Sequence, residues 1–225
     1  MAEAPAHLKL EGVTVVTFEV GPDKAVFQVH QNLLCDASTV FKAAFSGNFR
    51  EASERSMSLP DHDKDSVGRM IQWLYTRKFE LTFPVSSETS GECYMQLAKL
   101  NTLADKYDIY LLKNQIVDEL FDLTKPPRGF KAPQISVVAY VFNNTTEGSS
   151  FRKLLVAWYA YRIDLEWYDF DNTKAALAEV SQEFTIDLVV ALGVRQKYPE
   201  RRSPFTLPSS VYHEAPLKKT DEGHA

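Results

Sequence analysis

The stretch Val26-Phe27-Gln28-Val29-His30-Gln31-Asn32-Leu33-Leu34-Cys35-Asp36-Ala37-Ser38-Thr39-Val40-Phe41 decides how the chain is read, because its hydrophobic period changes within sixteen residues. Ala25, Phe27 and Val29 alternate with polar neighbours, as on a strand with one buried face. After Ser38, Val40, Phe41, Ala44 and Phe45 fall at three- and four-residue steps, the spacing of one helix face. Ser38 can cap that helix, and Gly47 is placed to end it. A strand that runs straight into helices at this spacing describes a mixed domain.

Working outward, Val16, Phe18 and Val20 alternate with Thr17 and Glu19. The turn Gly21-Pro22-Asp23-Lys24 then joins two strands into an expected hairpin. On the other side, Met57 and Leu59 alternate with Ser56 and Ser58, a brief strand stopped by Pro60. Asp63 or Asp65 can cap a following helix whose buried stripe is Val67, Met70, Ile71, Leu74 and Tyr75. Pro84–Glu92, rich in Ser, Thr and Gly, is expected to be a surface loop. Leu97, Leu100, Ala104 and Tyr107 mark one more helix, and Leu112, Ile116 and Leu120 another.

Lys125-Pro126-Pro127-Arg128-Gly129 is the clearest boundary, since consecutive prolines remove backbone donors and block helix continuation. Beyond it Ile135, Val138, Val141 and Phe142 mark a helix, as do Phe151, Leu154, Leu155, Trp158 and Tyr161. Asn172 can cap a helix carrying Ala176, Leu177 and Val180, and Ile186, Val189, Val190 and Leu192 mark a last one. From Tyr198 onward, prolines at 199, 204, 208 and 216 among scattered charges predict disorder. The expected layout is α+β: a small β-sheet flanked by helices at residues 10–124, an all-helical extension at 130–197 and a disordered tail at 198–225. Strands and helices are segregated, which excludes an alternating doubly wound nucleotide fold.

Composition bounds the function. A 44% hydrophobic and 12% aromatic chain of 225 residues holds enough apolar surface for a core. The net charge of −5 argues against a broad nucleic-acid-binding face. Two cysteines, Cys35 and Cys93, make no disulfide or metal pattern and suit a reducing compartment. No secretory leader and no run of about 20 apolar residues is seen, so a soluble cytoplasmic or nuclear protein is expected.

Taken together, the stretch quoted above resembles the BTB/POZ signature: an apolar residue, a spacer, Val-His, an apolar pair, then Ser and Phe. The resemblance continues through Phe49-Arg50-Glu51, Met57–Leu59, Trp73-Leu74-Tyr75-Thr76 and Leu103-Ala104-Asp105-Lys106-Tyr107, ending near Leu112-Lys113. Tyr140 to Val156 looks like the region that follows the BTB domain in many fungal BTB proteins. The resemblance implies a module for protein–protein contact, with no cofactor, metal or catalytic residue. Many members form homo-oligomers, and a subset bind cullin scaffolds as substrate adaptors of ubiquitin ligases. In that subset an apolar-x-Glu element contacts the cullin, and Phe49 and Glu51 match it here. A second role the family implies is an oligomerising subunit of a transcriptional or chromatin regulator. Gly12 stands where members often carry Asp, and Met1–Leu10 is shorter than the segment with which many build swapped dimers.

Other residues invite sharper chemistry. His30 with Cys35 would need a third orienting group and a cleft to act as a nucleophile–base pair, and a packing role is expected instead. Asp61-His62-Asp63 lacks a complementary ligand cluster and is expected to start a helix. The sequons at Asn143 and Asn144 are expected to serve as turn and cap residues. Trp158, Tyr159 and Tyr161 are expected to form a packed helix face.

Overall fold

The computed structural model describes residues 14–82, 89–125, 133–162, 178, 180–200 and 202–215. The chain divides into two compact units, Met1–Arg77 and Lys78–Ala225.

The first unit is built on a three-stranded sheet of order β2-β1-β3. Strand β1 (Val15–Val20) pairs antiparallel with β2 (Ala25–His30), Val15 opposite His30 and Val20 opposite Ala25. Gly21 turns the hairpin at φ +68°, a left-handed conformation that glycine adopts without a Cβ penalty. Lys24 N–H donates to the Gly21 carbonyl at 3.2 Å and closes the turn. The second neighbour of β1 is β3 (Ser56–Leu59), which runs parallel with Val20 opposite Leu59. A parallel pair needs a crossover. Here the crossover is α1 (Gln31–Ala37), α2 (Thr39–Ser46) and α3 (Arg50–Glu54), and α4 (Lys64–Thr76) follows β3.

Being central, β1 shows the alternation without exception, with Val16, Phe18 and Val20 all buried. Phe18 meets Phe41 and Phe45 of α2 at centroid distances of 5.5 and 6.3 Å. The expected caps are present: the Ser38 hydroxyl accepts from Phe41 N–H at 2.9 Å, and Asp63 accepts from Ser66 N–H at 3.0 Å. In two places the buried faces differ from the sequence pattern. Along α4 the core side is Val67, Met70, Trp73 and Leu74, while Tyr75 turns outward to His30. On β2, an edge strand, only Val29 is fully buried.

The second unit is helical. Helix α5 (Ser90–Lys106) begins inside the stretch expected to be a loop, which corrects that expectation for residues 90–92; residues 84–88 lie outside the described residues. It is followed by α6 (Tyr110–Thr124), α7 (Ile135–Asn144), α8 (Ser150–Arg162) and α9 (Gln182–Lys197). Most of the proline boundary after Lys125, and the helix expected from Asn172 apart from Ala178 and Val180, fall outside the described residues. Trp158 of α8 is fully buried, edge-on to Phe121 of α6 at 5.7 Å.

The disordered tail is corrected for residues 202–215. Two 3-10 turns, Pro204–Thr206 and Ser209–Tyr212, lie along α6 and α8 as a strap. Phe205 stacks on Trp158 at 5.3 Å, and Tyr212 lies against Phe121 at 5.9 Å. Ser209 and His213 both bond the Asp118 carboxylate, at 2.5 and 2.8 Å. Beyond them Glu214 pairs with the nearly buried Lys113, and the Asn114 amide bonds the Glu214 backbone on both sides.

Candidate protein-interaction surface

Helix α2 ends at Gly47, and the chain then makes a short extended step to Phe49, which caps α3. A Cβ on Gly47 would come within 2.8 Å of the Ala43 carbonyl oxygen and 3.2 Å of the Phe49 ring. The glycine therefore lets the ring lie directly on the backbone, so Phe49 is braced from behind. Its outer side faces solvent, for Phe49 is 60% exposed. Glu51 sits half-buried in the first turn of α3, where a carboxylate is favoured by the helix N-terminus. The helix is fastened by Ala52 N–H to the Phe49 carbonyl at 3.1 Å and by the Ser53 hydroxyl to the Arg50 carbonyl at 2.9 Å. Arg55, in a left-handed conformation, ends it and feeds β3. The arrangement is an exposed aromatic beside a positioned carboxylate, a combination suited to contact.

The remaining candidates resolve into packing. The His30 imidazole Nδ1 lies 2.6 Å from the Tyr75 hydroxyl, and the ring stands edge-on to the Tyr75 ring at 5.6 Å. Cys35 instead contacts the Phe41 carbonyl and the Ser46 hydroxyl, at 4.0 and 3.9 Å. Neither set of contacts joins the thiol to the imidazole. Asp63 caps α4, and among the described residues no cluster of three His, Cys, Asp or Glu side chains could hold a metal ion. Asn144 and Thr145 bond the Tyr140 and Val141 carbonyls at 2.8 and 2.7 Å, closing α7. Trp158 packs as described, Tyr159 donates to the Pro133 carbonyl at 2.6 Å, and Tyr161 lies under the Arg195 guanidinium at 5.1 Å.

Sequence reasoning missed two charged centres of the helical unit. Arg152, buried, donates to the Phe142 carbonyl at 2.6 Å, to the Thr145 carbonyl and to Glu183 of α9 at 2.6 Å. Lys113 is held between Asp105, at 3.2 Å, and Glu214. Burial alone would pull the Lys113 pKa down, but the two carboxylates outweigh it and raise it above the ordinary 10.5. Burial likewise works against an ionised Glu214, yet Lys113 and the Ser150 N–H together hold its pKa below the ordinary 4.5. Each buried charge is thus paid for by a partner.

The BTB/POZ domain family matches residues 9–122, just over half of the chain. The chain belongs to the BTB/POZ family. It is 30% identical over 84 residues to mouse Kelch-like protein 9 and 33% identical over 89 residues to Caenorhabditis elegans BTB and MATH domain-containing protein 42, covering 37% and 39% of this chain. It is 23% identical to human Kelch-like protein 13 over 142 residues, or 61% of this chain. These matches span 14%, 20% and 21% of the relatives' own lengths, so most of each relative has no counterpart in the aligned region. The BTB/POZ assignment makes the chain a protein-interaction module with a helical remainder. No helix among the described residues is long and apolar enough to cross a membrane.

Proposed function

We propose that this BTB/POZ protein is a substrate adaptor whose α2–α3 junction docks on a cullin scaffold. In this reading residues 10–124 act as the BTB domain and the helices at 130–197 present a client. The single observation that carries it is Phe49, braced on Gly47 and 60% exposed, beside the half-buried Glu51. A large aromatic kept in water contributes little to folding, but on binding it can become a dominant contact. Kelch-like and MATH-containing relatives share the domain, which supports a docking role without naming the scaffold.

The test uses the full chain and a purified cullin N-terminal region, titrated by calorimetry. Phe49→Ala is expected to weaken binding by roughly 30-fold or more, the effect of losing about 2 kcal/mol at a central contact. Glu51→Ala is expected to weaken it by several-fold. Absence of binding by the wild type, or equal affinity in the Phe49→Ala and Glu51→Ala double variant, removes this reading.

A further inference from the structure

The strap is held against α6 and α8 in the way a bound peptide is held. Its two turns are closed from within, by Thr206 N–H to the Ser203 carbonyl at 2.9 Å and Val211 N–H to the Pro208 carbonyl at 3.1 Å. The helices grip it through side chains. The Asn114 amide of α6 donates to the Glu214 carbonyl at 2.9 Å and accepts from the Glu214 N–H at 2.7 Å, so one side chain takes both main-chain groups of one residue. Such a clamp reads backbone and leaves the choice of residue to its neighbours. Those neighbours select. Lys113 and the Ser150 N–H, at the start of α8, receive the Glu214 carboxylate. Trp158 offers a flat face to Phe205, at 18° between the ring planes, and Phe121 takes Tyr212. A main-chain clamp, a cationic socket for a carboxylate and an aromatic shelf are the parts of a peptide-binding surface.

The strap fits this surface incompletely. Within its two turns Pro204 is buried, while Phe205, Tyr212 and the following Glu214 are only half-buried. Two buried polar groups at its anchors have no hydrogen-bond partner among the described residues: Nε1 of Trp158, the shelf under Phe205, and the hydroxyl of Ser149, next to Ser150. A buried donor without an acceptor is unfavourable, so the strap covers the site without completing it. A half-exposed segment with few buried apolar contacts also opens at less cost than the helices beneath it. We propose that the surface of α6 and α8 under the strap binds an extended segment of a partner protein, with two aromatic side chains and a carboxylate spaced as in Phe205, Tyr212 and Glu214. The strap occupies it in cis as a stand-in. A second copy's strap is identical and leaves the same two groups unmet, whereas a partner segment that brings acceptors gains by replacing it. Because the strap is tethered to α9, it competes as if at roughly millimolar concentration, and only a partner that binds more tightly displaces it. The site gives the client end of the proposed adaptor a place and a chemistry, but it needs no cullin and no contact at Phe49, so either reading can fail alone.

The test is fluorescence anisotropy of a labelled peptide with the sequence of residues 202–215, titrated with the full chain. The chain is used as wild type and with the strap's anchors removed by Phe205→Ala and Glu214→Ala. The peptide is expected to bind the double variant about tenfold or more tightly than the wild type, because the cis competitor is weakened. Should the double variant lose its helical circular dichroism, Glu214→Gln alone takes its place, with an expected gain of about fivefold. Changing the peptide then reads the anchors without touching the protein's fold. Peptides carrying Phe205→Ala or Glu214→Gln are expected to bind the double variant about fivefold or more weakly. Unlabelled wild-type chain, its strap held in cis, is expected to leave the probe bound. If it displaces the probe as well as free peptide does, the occupant is a second copy's strap and the assignment to a partner falls. Absence of binding to the double variant, equal affinity of wild type and variant, or equal affinity of the three peptides overturns the inference.

Discussion

Glu214→Gln separates the charge of the strap from its shape. The glutamine keeps the size of the side chain and one acceptor oxygen, which can serve either Ser150 N–H or Lys113 where the carboxylate serves both, and it loses the negative charge. Removing one member of a buried pair outright costs about 3–5 kcal/mol, because the other is left uncompensated. Lys113 would not be left so, since Asp105 stays at 3.2 Å. The expected loss at pH 7 is therefore smaller, about 1–2 kcal/mol. Its pH dependence identifies the cause. Glu214 has a folded pKa below the ordinary 4.5, so its ionisation adds stability above that value and the contribution is lost as pH falls through the folded pKa. Once protonated, the carboxyl resembles the amide. Wild type and variant should then converge in acid, with the gap widest near pH 7 and shrinking below about 4.5. Urea denaturation at pH 7, 5 and 3 measures it directly. A gap under about 0.3 kcal/mol at pH 7, or one that grows as the pH falls, refutes the argument that the Lys113 pair anchors the strap.

Two further outcomes follow from the packing. Phe205→Ala uncovers the indole face of Trp158, and because Phe205 is itself only half-buried the loss should be about 2 kcal/mol, below that of a full core phenylalanine, measured by urea midpoint. Gly21→Ala strains the φ +68° turn and brings a Cβ within 3.3 Å of the His62 carbonyl oxygen, so a loss of about 1–2 kcal/mol is expected by thermal melting, with binding at Phe49 unchanged.

How much of this was legible in the sequence depended on where each element's partner lay. Strand β1 was legible because it is central, and its inward face is the same along its whole length. Helix α4 was legible because Asp63 gives a cap signal and Val67, Met70 and Leu74 recur at helical spacing. Helix α1 gave no such signal: its N-cap is His30, which makes no side-chain cap bond, and its first turn holds no acidic residue. The strap was hidden by its prolines, which read as disorder. Phe205 and Tyr212 were the signal against it, since large aromatics are scarce in chains that stay unfolded. Lys113 and Arg152 were illegible in principle, because a charge alternating with apolar neighbours reads as a solvated face until its distant partners, Glu214 and Glu183, are known.

The same reasoning explains why the candidate surface was found by resemblance and not by pattern. Phe49 follows a helix-ending glycine, a position that fits a core aromatic as well as an exposed one. Its role turns on a contact of backbone with ring, because Gly47 brings the ring onto its own chain and away from the Phe18, Phe41 and Phe45 cluster. On α9 the apolar residues that marked the helix are not the ones that anchor it. Ile186, Val189 and Val190 outnumber Phe184 and Leu188, yet the two larger contacts bury the helix by the opposite face. A helix takes the orientation that buries the best-fitting side chains, not the most numerous apolar ones. The apolar residues left exposed in each unit, Phe49 in one and Ile186, Val189 and Val190 in the other, owe their positions to folding but contribute little to it. Their substitution should therefore leave stability within about 0.5 kcal/mol, measured by urea midpoint.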